Sequence, residues 1–241
     1  MTASTRDAVW TGLLAGAVAH DINNFVQGVS SARALAGRPG AIIADAAETE
    51  AIIEDELEEL RKMGGRLRAL ASAGSTGAST RLADACADAF AEVDRSPEQL
   101  RAESIPADLC VVGTAAALTT AIASLLEHAM AAGPASAPVS VTVHRSEAGS
   151  PVIVEIGAPE AGALGAISKA RLALVLASSL PELRGDARLI LAGAIADALG
   201  GAVYIASDAK AGLVLALHLV AGAPRAGTEP APITVPRPAS D

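Results

Sequence analysis

The N-terminal third of the chain has the three-and-four spacing of apolar residues that predicts long amphipathic helices. An advance of about 100° per residue places one set of apolar residues on a single face of the first helix: Leu14, Val18, Ile22, Phe25, Val29, Ala32 and Ala36. The helix is expected to begin near Ser4, whose spacing to Asp7 suits an N-terminal cap. Gly37 and Pro39 are expected to end it.

The opposite face of this helix carries a narrow stripe of polar residues: His20, Asn24, Gln27 and Ser31. Asp21 follows His20 directly, so an acid stands beside the ring of the histidine. A histidine on the polar side of an amphipathic helix is either a solvated surface residue or a group that does chemistry. The pattern alone leaves these two interpretations open.

A second helix is predicted after the short turn, because apolar residues again recur at spacings of three and four: Ile53, Leu57, Leu60, Gly64, Leu67 and Ala71. Its other face has seven carboxylates between Glu48 and Glu59, which we interpret as a solvated surface. Two long helices joined by a tight turn form an antiparallel hairpin with a half-covered apolar stripe. A second copy of the chain is expected to complete a four-helix bundle, so we predict a homodimer.

The rest of the chain mixes helical and strand patterns. Residues 71–80 are small and polar and are predicted to be a linker. Beyond them, three helical segments and two β-hairpins predict an α+β fold in which helices cover one sheet. We therefore divide the chain into three parts: a helical hairpin over residues 1–75, an α/β sandwich over 80–221, and a Pro/Ala-rich tail over 222–241 that is expected to be disordered.

Charge and composition narrow the function classes. The net charge of −9 argues against nucleic acid or an anionic membrane as a partner, because the chain has no basic field to neutralise phosphates. Cys86 and Cys110 are isolated in sequence and lack metal-ligand spacing, so they are expected to be reduced structural residues. No long run of apolar residues is free of charge, and no leader-like pattern opens the chain. These features predict a cytoplasmic protein.

His20, Asp21, Ile22, Asn23 and Asn24 lie in front of this mixed domain and resemble the H-[DE]-x-x-[NT] phosphoacceptor motif of bacterial sensor histidine kinases. The resemblance covers about residues 5 to 221. A neutral imidazole is a good nucleophile near pH 7 and forms a labile phosphoramidate, and Asp21 is placed to orient the ring proton. The resemblance implies that Asn24 orients a water for hydrolysis of a phosphorylated partner.

The second half of the chain departs from the kinase pattern in three places. Where these kinases have an asparagine that helps to hold magnesium, the segment LLEHAMAA has His128. Ala158 stands where an aspartate bonds the adenine, although Gly162 matches a later glycine. In place of a glycine-rich turn before the last long helix, the chain has Asp186, Ala187 and Arg188, whose side chains and negative charge oppose phosphate. We therefore expect no ATP and no bound metal, with His128 packed at the edge of the core.

An intact acceptor histidine beside a degenerate ATPase-like domain predicts a histidine phosphotransferase that relays phosphoryl groups between response-regulator receiver domains. In this interpretation an upstream hybrid or sensor kinase supplies the phosphoryl group, and Mg²⁺ is needed only on the receiver. Gln27 and Ser31 are predicted to belong to the receiver-docking face. Two alternatives stay open: a non-catalytic pseudo-histidine-kinase that acts as a scaffold or inhibitor, and a divergent active histidine kinase.

Overall fold

The structure is a computed structural model that describes residues 3–36, 43–74, 77–93, 99–103, 105–134, 136–145, 151–159, 161, 167–172, 186–208 and 212–223. The chain divides into two compact units, Met1–Arg68 and Ala69–Asp241. The linker predicted over residues 71–80 is shorter than expected, because a helix continues to Ala73 and a strand begins at Ser79.

Two long helices make up the N-terminal unit: α1 (Ala3–Ala36) and α2 (Ile43–Ala73, which extends into the second unit). The predicted end signals of the first helix, Gly37 and Pro39, lie outside the described residues. The two helices approach each other closely at Gly28, where a β-carbon would come within 2.6 Å of Oε1 of Glu56. A glycine at this position therefore leaves room for the Glu56 side chain to lie against α1.

The buried side of α1 is displaced from the apolar face that the spacing predicted. Trp10, Ala17 and Ala32 are buried, whereas Ile22 is 47% exposed. On α2, Leu57 was expected in the buried stripe and is 40% exposed. A single neighbouring helix covers only part of a broad apolar surface, so each helix of the single chain keeps exposed apolar residues.

The described residues of the C-terminal unit form three further helices and eight strands. The helices are α3 (Leu82–Glu92), α4 (Ala115–Ala132) and α5 (Ala187–Ala198). The strands are β1 (Ser79–Arg81), β2 (Leu100–Ala102), β3 (Cys110–Val112), β4 (Val139–Arg145), β5 (Val152–Ala158), β6 (Ile167–Arg171), β7 (Ala202–Asp208) and β8 (Gly212–Leu219). The α+β prediction is confirmed.

Six of the strands form one mixed sheet in the order β2-β4-β5-β8-β7-β6, while β1 pairs with β3 in a separate ribbon. Among the described strands of this sheet, only the β2–β4 pair is parallel. Strand β5 alternates strictly, with its buried residues on one face: Val152, Val154, Ile156 and Ala158. Helices α4 and α5 pack against the sheet, so alternating aliphatic side chains and two apolar helices form the core.

Helix α4 is the central core helix. Among the described helices it alone is long and apolar enough to cross a membrane, but 67% of that stretch is buried inside the protein. Thr114 precedes the helix and its side-chain oxygen accepts a hydrogen bond from the backbone N–H of Ala117 at 3.3 Å, which is an N-terminal cap.

Helix α5 ends before Gly200, whose φ of +76° suits a residue without a side chain.

The start of the predicted tail is ordered. The backbone N–H of Gly222 donates to the carbonyl of Cys110 at 2.9 Å, and the hydroxyl of Ser79 donates to the carbonyl of Ala223 at 2.9 Å. The assignment of these two residues to a disordered segment was therefore wrong, because the hydroxyl of Ser79 in β1 and the backbone carbonyl of Cys110 in β3 bind them. The rest of the predicted tail lies outside the described residues.

Candidate functional site

His20 lies in the middle of α1 with its side chain in solvent. The side chain is 60% exposed, which confirms the predicted outward orientation. Asn24, Gln27 and Ser31 are also exposed, so the polar stripe forms an open surface. Gln27 and Ser31 stand about 10 and 16 Å from His20 along the helix axis, too far to contact its ring.

The ring of His20 contacts its two predicted partners through the same nitrogen. Nδ1 lies 3.3 Å from Oδ1 of Asp21 and 3.2 Å from Nδ2 of Asn24. The structure therefore places His20, Asp21 and Asn24, the three residues predicted to act together, in contact with one another. The structure shows no partner for Nε2 of His20 among the described residues.

The two contacts decide which nitrogen of His20 is available for chemistry. A carboxylate only accepts hydrogen bonds, so a bond to Asp21 requires a proton on Nδ1. An amide nitrogen only donates, so the present orientation of Asn24 favours the tautomer without a proton on Nδ1. Rotation of the Asn24 amide by 180° places its oxygen near Nδ1 instead, and the protonated Nδ1 can then donate to both Asp21 and Asn24. In the tautomer that Asp21 favours, Nε2 carries a lone pair directed away from the carboxylate.

A second histidine-acid pair lies in the C-terminal unit. Nδ1 of His128, on α4, is 2.6 Å from Oδ2 of Asp186, which stands directly before α5. The His128 side chain is only 8% exposed, as expected for a residue at the edge of the core. Its Nε2 atom is buried and has no hydrogen-bond partner in the described part of the chain.

Asp186 is also the N-terminal cap of α5. Its Oδ1 atom accepts hydrogen bonds from the backbone N–H groups of Arg188 at 2.9 Å and Leu189 at 3.3 Å. Burial alone would raise the pKa of Asp186, but the hydrogen bond and charge of His128, the N–H of Leu189 and the charge of Arg188 together hold that pKa below its ordinary value of 3.8. Asp186 is therefore ionised at neutral pH, and Nδ1 of His128 must carry the proton that they share.

Charged groups continue around this end of α5. Nε of Arg188 lies 3.7 Å from Oε2 of Glu127, the residue before His128 on α4. The sequence signalled the cap, because Asp is a preferred residue before a helix. It gave no signal for the pairing of Asp186 with His128, which are 58 residues apart and belong to different helices.

The other two positions compared with the kinase nucleotide site are Ala158 and Gly162. Ala158 is buried at the end of β5, so no carboxylate projects from that position. Gly162 lies outside the described residues. In the part of the chain that the structure describes, no group of three or more His, Cys, Asp and Glu side chains is placed to hold a metal ion.

Solved structures of histidine kinases have a similar fold. Full-length ShkA in complex with AMPPNP matches with a TM-score of 0.53 and 13% identity over 92% of this chain and 46% of its own. This chain therefore spans less than half the length of ShkA. The Acinetobacter baumannii histidine kinase AdeS matches with a TM-score of 0.53 and 13% identity over 83% of this chain and 97% of its own.

No protein-family model matches the sequence, and no curated protein matches it significantly. At 13% identity the likeness establishes the fold and not the activity. The predicted resemblance is confirmed at this level: the chain has the fold of a sensor-kinase core, with the sheet and helices of the histidine kinase ATPase domain.

Proposed function

We propose that this chain is a histidine phosphotransferase that relays phosphoryl groups between receiver domains through His20. The observation that carries the proposal is the imidazole of His20, whose side chain is 60% exposed and whose Nδ1 contacts Asp21 and Asn24. A phosphoacceptor must be reachable by a large partner. It must also have one ring nitrogen fixed so that the other can attack.

The proposed reaction is a reversible transfer between two high-energy bonds. The Nε2 lone pair of His20 attacks the phosphorus of an aspartyl phosphate on the donor receiver, a P–N bond forms, and the P–O bond to the aspartyl carboxylate breaks. The Nδ1 proton stays on the ring, where the carboxylate of Asp21 stabilises the positive charge that develops. A second receiver reverses the sequence, and Mg²⁺ on the receiver neutralises the phosphoryl oxygens.

We propose that ATP takes no part in this reaction. In the described structure the backbone N–H groups at the start of α5 already bond the carboxylate of Asp186, at a helix end that would otherwise attract phosphate. A negative charge at this place repels a nucleotide triphosphate. His128 also bonds Asp186 instead of presenting an amide oxygen for Mg²⁺.

We further propose that two chains pair through the helical unit to form a four-helix bundle. Support comes from Ile22, Val26 and Leu57, which are 47%, 52% and 40% exposed in the single chain. Val26 lies just before Gly28 and Leu57 just after Glu56, the two residues at which the helices meet. In an antiparallel hairpin these side chains stand at a similar height, and a second hairpin would cover them.

The polar stripe of α1 is the proposed docking face, with Gln27 and Ser31 on the surface next to His20. The proposed partners are receiver domains and the upstream hybrid or sensor kinase that charges them, and the proposed location is the cytoplasm. Receiver specificity would come from shape and hydrogen bonding along this face, because the phosphoryl chemistry is the same for every receiver.

Phosphotransfer profiling tests the function directly. The purified chain is incubated with a panel of ³²P-labelled receiver domains, and label on the chain is followed over seconds to minutes. We expect rapid transfer from a small subset of receivers and none to the His20→Ala variant. The His144→Ala variant is the matched control, since His144 is exposed on β4 and should leave transfer unchanged. Labelling by ATP alone would contradict the proposal.

A further inference from the structure

We infer that Gly64 and Gly65 form a flexible joint in α2, at which the helix opens and bends between the two compact units. The inference goes beyond the proposed relay and does not depend on it. Both glycines lie in the interior of α2, which runs without a break over Ile43–Ala73. Glycine is, after proline, the residue least favourable to a helix interior, because its backbone loses the most freedom on folding. Two in succession make this the point at which α2 is intrinsically weakest.

Neither space nor backbone conformation accounts for the two glycines. The nearest group that a β-carbon would meet is the guanidinium of Arg68, with Nη1 at 3.9 Å from a β-carbon at Gly64 and Nη2 at 4.0 Å from one at Gly65. These are ordinary van der Waals distances to a flexible side chain. Both residues have helical backbone, in which alanine is the most favourable residue. Alanine would therefore fit at both positions of the single chain, and glycine weakens the helix there without a gain in packing.

The position of the glycine pair along the chain gives the weak point a consequence. The division between the two compact units falls between Arg68 and Ala69, about one turn after the pair. The last turn of α2 belongs to the C-terminal unit, where Ala73 is 3% exposed and the hydroxyl of Ser72 lies 3.4 Å from Oγ1 of Thr114, the cap of α4. The helix is therefore anchored directly after the glycines, and a bend at the pair would leave the packing of this last turn intact.

The turns of α2 that precede the glycine pair are reinforced by side-chain ion pairs. Nη1 of Arg61 lies 3.5 Å from Oε2 of Glu58, and Nζ of Lys62 lies 3.0 Å from Oε1 of Glu59. Both pairs join residues three apart on the helix surface, a spacing that favours the helical state. With ion pairs before the glycines and a buried turn after them, opening should be concentrated at the pair and not spread along α2.

Hydrogen–deuterium exchange of the full chain, followed by mass spectrometry, tests the inference. In the wild type, the amides of residues 64–69 should exchange at least about tenfold faster than those of residues 52–60 in the same helix. The double variant Gly64→Ala/Gly65→Ala should slow exchange over residues 64–69 by at least about tenfold, because each alanine favours the closed helix. Nitrogen-15 relaxation gives a second measurement: the two units of the wild type should tumble with different rotational correlation times, and the variant should bring these times together.

The matched control is Gly12→Ala/Gly16→Ala on α1, where a β-carbon at either position would meet nothing within 4 Å. It adds two alanines to a helix away from the joint and should leave exchange over residues 64–69 unchanged. The inference is overturned if these amides of the wild type exchange as slowly as residues 52–60, or if the two units of the wild type tumble with one correlation time. It is also overturned if Gly64→Ala/Gly65→Ala abolishes a dimer that the wild type forms in analytical ultracentrifugation, because the glycines would then serve to admit a second helix.

Discussion

The imidazole of His128 and the carboxylate of Asp186 are joined by a 2.6 Å hydrogen bond between α4 and the start of α5. The pair connects two helices that also meet through the ion pair of Arg188 with Glu127. It also fixes the start of α5, where Asp186 caps the helix through the backbone N–H groups of Arg188 and Leu189. The same contact therefore bears on the stability of the C-terminal unit.

Replacement of Asp186 by asparagine should change how stability depends on pH. The pKa of Asp186 is lower in the folded protein than its ordinary value of 3.8, so the ionised carboxylate stabilises the fold above about pH 4, and this contribution is lost as the pH falls further. The unfolding free energy of the wild type should fall more steeply between about pH 5 and 3 than that of Asp186→Asn.

Urea unfolding followed by circular dichroism over this pH range measures the difference. At pH 7 the variant should be less stable by about 1–3 kcal/mol, because a charge-assisted hydrogen bond becomes a neutral one. Parallel pH profiles for the two proteins would show that the ionised carboxylate does not stabilise the fold.

Replacement of His20 by alanine should leave the fold intact. The side chain is 60% exposed, and its hydrogen-bond contacts among the described residues are with its helix neighbours Asp21 and Asn24. The unfolding free energy should therefore change by less than about 0.5 kcal/mol. Trp10 is the only tryptophan of the chain and is buried on the same helix; its fluorescence reports local packing. A large loss of stability or a shifted Trp10 spectrum would make His20 a structural residue.

Variants of Asp21 and Asn24 should separate two activities. Asp21→Asn removes the charge that favours a proton on Nδ1, so transfer to His20 should slow by at least about tenfold. Asn24→Ala keeps that charge and should accept the phosphoryl group at close to the wild-type rate, while hydrolysis of a phosphorylated receiver decreases. Rapid-quench transfer rates and phosphate release measure the two steps. Equal losses in both assays for both variants would contradict the separate roles.

Introduction of a charge on the exposed apolar edge of α1 should weaken dimers. Val26 is 52% exposed in the single chain, and burial of a valine side chain at an interface contributes about 1.5–3 kcal/mol. Val26→Glu should therefore raise the dimer dissociation constant by at least about tenfold in analytical ultracentrifugation. Ser31→Glu adds the same charge on the polar stripe and should leave it unchanged. If both variants behave alike, another surface forms the interface.

The two cysteines should be protected from thiol reagents in the folded protein. Cys86 and Cys110 are both buried, and burial raises the pKa of Cys86 to about 12, so its reactive thiolate is scarce near neutral pH. Reaction with a colorimetric disulfide reagent at pH 8 should be slow for the native chain and fast in denaturant. Fast labelling of the native protein would contradict the packing of α3 and β3.

The sequence predicted elements whose signals are local and missed those that depend on distant partners. Helix α5 ends just before Gly200, strand β5 alternates strictly, and β7 and β8 are the two strands of a hairpin predicted from their apolar segments. The strands β1, β2 and β3 have three residues each, too few for periodicity to identify. They exist because neighbouring strands pair with them.

In the candidate site, too, the sequence predicted the contacts within one helix and missed the contact between two helices. His20, Asp21 and Asn24 are held by one helix, so spacing alone placed them together. The pairing of His128 with Asp186 depends on how α4 packs against α5, which no local pattern encodes. The predicted apolar face of α1 was wrong at Ile22, which is 47% exposed, because the broad apolar surface did not reveal which part of it faces α2.

The most direct test of the account is phosphoamino-acid analysis of the chain after incubation with a labelled cognate receiver and, separately, with labelled ATP. The account predicts acid-labile, base-stable label on His20 from the receiver, loss of that label in His20→Ala, and no label from ATP. Label from ATP alone, or transfer from the receiver that survives in His20→Ala, would contradict it.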